Sequence, residues 1–207
     1  MDTKEKIIWE ALNLFSRQGY AAVSVRDIAR AVGVRESSLY SHFKSKRGIF
    51  DAIVDICWAK AEDYYRSRSL PFAPGEEPQA FLLTGASLTE RVLEVFAWFY
   101  EDPYCGRFRQ LLALSQYEDP RSAELYRRLF CQYPMQVQAA VFAGLMEAGA
   151  MPRQDPEALA LAFYGGVFLI MAQHQDWQQA KPLLAAHIQW FYTAHAAPST
   201  NQREENP

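Results

Sequence analysis

The stretch V-R-D-I-A-R-A-V-G-V-R-E-S-S-L-Y-S-H-F-K-S-K, residues 25–46, decides how the first part of this chain folds. Ile28 and Val32 stand four apart, as do Leu39 and Phe43, so two short segments each carry an apolar side at helical period. Gly33 between them provides a tight turn. With Leu39 and Phe43 turned inward, Ser37, Ser38, Tyr40, Ser41 and His42 are left for other faces, beside Arg35, Lys44 and Lys46. Short hydroxyls and two larger hydrogen-bonding side chains on a helix after such a turn are the pattern of a helix-turn-helix whose second helix enters a DNA major groove.

Outward from this stretch the chain reads as helices throughout. Lys4–Gln18 carries Ile8, Ala11, Leu12 and Phe15 on one face and ends at Gly19. Ser24 and Asp27 form a capping box that opens the second helix, with Asp in the usual Glu/Gln place. The third helix is predicted from about Arg35 to Phe43. Ser45 caps a fourth, from Lys46 to about Ser67. Pro71, Pro74, Gly75 and Pro78 then predict a loop or short irregular helix over 68–85 that could act as a lid. Beyond it, Ser87 and Glu90 predict a capping box for a helix to about Tyr100, and Asp102-Pro103 opens the next, to about Ser115. Asp119-Pro120 opens a long helix to about Ala148-Gly149, with a kink or break expected at Pro134. Asp155-Pro156 opens another to about Gln175, and a last begins near Trp177 or Pro182 and runs to His195. No segment alternates with a period of two, so the fold class is all-α. The expected organisation is a helix-turn-helix domain over 1–46, a larger helical domain over 47–195, and a disordered tail over 196–207.

The net charge of −3 is unevenly spread. Residues 1–47 hold nine Lys/Arg against five Asp/Glu, and the remainder twelve against nineteen. A basic end on an acidic body suits a module that meets phosphate while the body stays away from it. Cys57, Cys105 and Cys131 are widely spaced and odd in number, which argues against a disulfide framework or a zinc knuckle and for a reduced, cytoplasmic protein. The most apolar run, Ala158–Gln173, reads as too short and too closely flanked by charge to span a membrane. His174, Asp176 and His187 are the best catalytic candidates, but no nucleophile elbow, zinc-protease motif or phosphate loop accompanies them, so no enzyme, cofactor or metal is expected.

Three blocks, A-L-N-L-F-S-R-Q-G-Y at 11–20, V-S-V-R-D-I-A-R-A-V-G-V at 23–34 and S-S-L-Y-S-H-F-K-S-K at 37–46, give the chain its resemblance to the TetR family of bacterial transcriptional regulators. That resemblance implies a homodimer that binds a pseudo-palindromic double-stranded DNA operator, with a C-terminal domain whose small-molecule effector releases it. It places Val25 and Arg26 near the backbone and groove edge, Ser37, Ser38 and Ser41 at bases, and Tyr40, His42 and Lys46 at phosphates. Arg35 and Glu36 could reach either. Lys46, with the N–H groups opening the fourth helix, reads as an anion site, and only Arg26 and Arg35 could bind guanine with two hydrogen bonds.

For the body, an apolar or aromatic effector is expected against Trp58, Tyr65, Trp98, Tyr104, Phe108, Tyr126, Tyr133, Phe142, Tyr164 and Phe168. The helix over 155–175 is apolar on two faces, one with Leu159, Phe163, Gly166 and Ile170, the other with Leu161, Tyr164, Phe168 and Met171. The first stripe, with Leu184, Ile188 and Phe191 of the last helix, is assigned to dimerisation, as the resemblance implies for the last two long helices. A competing reading keeps the DNA-binding domain and makes a cysteine the redox sensor.

Overall fold

The computed structural model describes residues 2–70 and 85–197, with the backbone alone at 85–87. Among these residues all regular structure is helical: α1 (Thr3–Gln18), α2 (Val25–Val32), α3 (Glu36–His42), α4 (Lys46–Ser67), α5 (Gly85–Glu101), α6 (Pro103–Ser115), α7 (Pro120–Arg127), a π-helical turn (Arg128–Gln132), α8 (Tyr133–Glu147), α9 (Pro156–Gln173) and α10 (Trp177–His195). The expected loop or lid falls mostly on 71–84, and most of the expected disordered tail on 198–207; both lie outside the described residues.

Local chemistry sets most helix ends. Asp2, Ser24, Ser45, Asp102, Asp119, Asp155 and Asp176 each accept a hydrogen bond from a first-turn backbone N–H. Asp2 and Ser24 complete reciprocal capping boxes with Glu5 and Asp27. One expected cap is corrected: Ser87 lies inside the helical backbone of α5, which already includes Gly85. Pro134 interrupts its long helix as expected. A proline there supplies no N–H to the carbonyl four residues earlier and crowds it, and the chain takes a π turn over Arg128–Gln132 just before it. Pro182 is tolerated within α10, which starts at Trp177.

The chain divides into two compact units, and the division does not fall at residue 46. The first comprises residues 1–68 and 98–132; the second comprises 69–97 and 133–207. The first unit has one core, built from Ile7, Ala11, Leu12 and Phe15 of α1, Ile28 of α2, Leu39 of α3, Ile49, Phe50 and Ile53 of α4, and Phe108, Leu111 and Leu112 of α6. Residues 1–46 therefore do not pack as a separate body.

In the second unit α9 packs between α8 and α10. Phe142, Phe163 and Phe191 meet at its centre with ring centroids 5.1–5.8 Å apart, with Val167, Leu184 and Ile188 fully buried around them. With Pro156 and Glu157 added to the apolar run, α9 reaches 18 residues and is long and apolar enough to cross a membrane by length and composition only, a test that a packed core helix also passes. One side of the helix, with Leu159, Ala160, Phe163, Val167 and Met171, is buried in the unit.

Candidate nucleic-acid interface

Helix α3 has only seven residues, too few to hold an orientation through its own packing area. Leu39 and Phe43 anchor it in the core. Gly33 sets its approach: its φ of 80° is left-handed, and the Val34 N–H reaches back to Ala29 O at 3.0 Å while Gly33 N–H bonds Ala29 O and Arg30 O. With that face committed, Arg35, Glu36, Ser37, Ser38, Tyr40, Ser41 and His42 are all exposed. Tyr40 is half exposed, so it does not serve as a core residue. The Ser41 hydroxyl donates to Ser38 O at 2.6 Å, which leaves its oxygen as an acceptor. Arg26 is exposed and stands near Glu36, Nε to Oε1 4.0 Å. Val25 is the first residue of α2, half buried with part of its side chain packed on the core.

Lys46 is the main correction at this surface. Its Nζ donates to Tyr20 O and Val23 O, both at 2.8 Å, and to Ala21 O at 3.4 Å, and lies 4.3 Å from the Tyr20 ring centroid. An ammonium has three donors, and here all three face the carbonyls of the α1–α2 connection. Burial, then repulsion from Arg47, lowers its pKa, although Asp119 opposes this. Lys46 thus ties the α1–α2 connection to the start of α4. The exposed cation beside it is Lys44, between Phe43 and the α4 cap Ser45.

A polar network supports this arrangement. Arg47 pairs with both carboxylate oxygens of Asp119 at 3.4 and 2.5 Å and lies over the Tyr20 and Phe50 rings. Asp119 also accepts from the Ser122 N–H and hydroxyl, and the Tyr20 N–H donates to Ser115 Oγ at 2.9 Å. Burial pushes the Asp119 pKa up, but hydrogen bonds from Arg47 and Ser122 outweigh it and hold the carboxyl below its ordinary value. The Asp119-Pro120 pair is readable in sequence as a helix start, whereas nothing in sequence links Asp119 to Arg47.

The aromatic residues expected at an effector do not form one set. In the first unit Tyr65 and Trp98 meet at 6.1 Å, joined by Tyr64, and Tyr126 contacts Phe130, which contacts Phe99. Trp58 is half buried. Tyr104 packs on Trp9 beneath the Lys60 ammonium. Phe108 belongs to the core. In the second unit Phe142 is core, Tyr133 and Tyr164 are half buried, and Phe168 is exposed beside Tyr164. Phe108, Phe142 and Phe168 are therefore corrected as effector contacts: the first two fill core positions and the third turns outward.

The assignment of the dimer stripe is also overturned. Leu159, Phe163, Leu184, Ile188 and Phe191 are buried within the single chain, and Ile170 is half buried. Gly166 serves packing inside the unit: a Cβ there would come 2.5 Å from Cε1 of His187, whose Nε2 lies 2.8 Å from Phe163 O. The outward apolar residues are Leu161, Phe168 and Leu169 of α9 and Leu183 and Trp190 of α10, and Gly165 opens onto unoccupied space.

The remaining candidates have structural roles. Asp176 caps α10, His174 ends α9, and His187 contacts Phe163 O. Among the described residues no group of three or more His, Cys, Asp or Glu could hold a metal. The surroundings of the cysteines lend the redox reading no support. Burial pushes the Cys57 thiol up to about 12, and burial also raises Cys105 strongly and Cys131. The reactive species is the thiolate, and these surroundings disfavour it.

The sequence pattern defining the bacterial regulatory proteins of the tetR family matches residues 7–53, the segment from α1 into α4 that carries the turn and the exposed face. Over these residues the chain carries a TetR-family domain. The Staphylococcus aureus biofilm operon icaADBC HTH-type negative transcriptional regulator IcaR is 44% identical over 55 residues, 27% of this chain and 30% of that protein. The Escherichia coli tetracycline repressor protein class D is 36% identical over 90 residues, 44% of this chain and 39% of the repressor. The chain thus matches well under two thirds of either relative. TetR-family structures resemble it along nearly their whole length. A Marinobacter aquaeolei VT8 transcriptional regulator covers 98% of this chain and 95% of its own, with TM-score 0.63 and 20% identity. The SmeT–triclosan complex covers 96% and 94%, with TM-score 0.66 and 16% identity. At these identities the likeness speaks for the fold.

Proposed function

We propose that this TetR-family chain is a sequence-specific DNA-binding repressor that acts as a homodimer and leaves its operator when a small apolar or aromatic molecule binds. The observation that carries the reading is the division of α3: Leu39 is fully buried while Arg35, Glu36, Ser37, Ser38, Tyr40, Ser41 and His42 are all exposed. That leaves a helix surface with donors and acceptors for base edges and phosphates. Arg26, Arg35 and Lys44 supply positive charge beside it. Both relatives are described as repressing regulators, and the family pattern over residues 7–53 includes this segment.

The second copy is assigned to the outward apolar face of α9 and α10, with Leu161, Gly165, Phe168, Leu169, Leu183 and Trp190. Two long helices with apolar residues outside as well as inside suit a four-helix contact between copies. The effector is assigned to the aromatic seam of Tyr64, Tyr65, Trp98, Phe99, Tyr126 and Phe130 in the first unit. A complex of one structural relative with triclosan, a chlorinated aromatic, accords with that chemical class.

The test is a DNA-shift assay over tiled fragments upstream of the chain's own gene, with wild type and a Ser37→Ala, Tyr40→Ala, His42→Ala variant. Retention of one fragment by wild type, and its loss by the variant without loss of helical content, is the expected result. Equal affinity of the two proteins for every fragment would overturn the assignment.

A further inference from the structure

We propose that Arg26 and Glu36 act as one composite reader of a G·C base pair; this rests on the DNA-binding reading above. The two side chains come from different helices, Arg26 from the first turn of α2 and Glu36 from the first position of α3. Their Nε and Oε1 atoms are 4.0 Å apart, with 76% and 49% of the side chains exposed. Neither residue belongs to the core. An exposed pair at that distance contributes little to folding and exchanges its partners readily.

The neighbouring carboxylate is otherwise engaged. Asp27 accepts from the Ser24 hydroxyl and backbone and is paired with Arg30 at 3.5 Å. Arg35, the residue ahead of α3, makes no side-chain cap. Asp27 also lies within electrostatic reach of Arg26, but its carboxylate is held by Ser24 and Arg30, which leaves Glu36 as the carboxylate that can act with Arg26. A carboxylate on a surface meant for DNA opposes binding to phosphates in general; in the first turn of α3 it suits the helix dipole, and on DNA it calls for a donor from a base edge.

The base edges supply one. A guanidinium only donates and a carboxylate only accepts. In the major groove guanine presents two acceptors, N7 and O6, and its partner cytosine presents the N4 donor beside them. Arg26 on guanine and Glu36 on cytosine fill that pattern with no group opposed to one of its own kind. On an A·T pair, Arg26 would face the adenine N6 donor directly after N7, and thymine offers no donor to Glu36. Ser37 and Ser38 accept or donate with little preference and Ser41 is left as an acceptor, so beside Arg35 this pair carries sequence choice, at one base pair of each half-site.

Selection of sites from a randomised duplex library, using the full chain as wild type, Glu36→Gln and Arg26→Ala, tests the proposal. Wild type is expected to enrich sites with G·C at one fixed place in each half. Both variants should relax that same base pair, with discrimination there falling on the order of tenfold, while other positions hold. Glu36→Gln should also bind non-specific DNA more tightly, with an unchanged thermal midpoint. Full retention of the G·C preference by Glu36→Gln, or relaxation of different base pairs by the two variants, would overturn the composite reader. Wild type enriching no sequence would overturn the DNA-binding reading itself, and this proposal with it.

Discussion

The two units hold their helices in place by different means. In the second, α9 and α10 are 18 and 19 residues long and lock together through Phe142, Phe163, Phe191 and the His187–Gly166 contact. In the first, α2 and α3 have eight and seven residues and bury only Ile28, Ala29 and Leu39 between them. Their position depends on directional bonds: Lys46 on three carbonyls, Ser115 on the Tyr20 N–H, and Arg47 on Asp119. Long helices can be oriented by buried area. A short reading helix that must leave one face exposed has only Leu39 and Phe43 to anchor it, and polar ties fix the α1–α2 connection and the start of α4 that flank the pair.

Substitutions should separate the two modes. Phe163→Ala removes a fully buried ring from the second unit and should cost about 3–5 kcal/mol in urea unfolding; a loss below about 1 kcal/mol would break the aromatic half of the comparison. Gly166→Ala should cost about 1–3 kcal/mol by driving the added methyl into His187. In the first unit, Asp119→Asn should cost about 1–3 kcal/mol at neutral pH, since it weakens charge-assisted bonds to Arg47 and Ser122. Its pH dependence carries a sign. The Asp119 pKa is lower when folded than when unfolded, so its stabilisation is present above the unfolded value of about 4 and lost as pH falls through the folded value. Asp119→Asn should therefore flatten part of the acid limb of stability against pH, measured by thermal unfolding between pH 7 and pH 3. An unchanged acid limb would remove Asp119 from the account.

This contrast also explains what could be read from the sequence. Capping pairs, prolines and apolar spacing are local, so α4 could be bounded at Lys46–Ser67 and a break expected at Pro134. The exposed face of α3 was legible because Leu39 and Phe43 fix which side turns in. Which apolar stripe of α9 faces inward was not. Both stripes are apolar, and the choice depends on where α8 and α10 lie. Lys46 misled for a related reason: a lysine at a helix start looks the same whether its partner is a phosphate or three carbonyls from a connection some 25 residues earlier. Lys44 carries no such signal, and only its exposure separates it from Lys46.

That pair of lysines gives the most direct test of the central claim, that the α3 surface meets DNA while the Lys46 side of it is internal scaffolding. The measurement is log Kobs against log salt concentration on a retained fragment, for wild type, Lys44→Ala and Lys46→Ala. Each phosphate contact contributes roughly 0.9 to the slope. Lys44→Ala should flatten the line by about that amount, whereas Lys46→Ala should run parallel to wild type at lower affinity and with lower thermal stability. A flatter slope for Lys46→Ala at wild-type stability, with Lys44→Ala unchanged, would contradict the account.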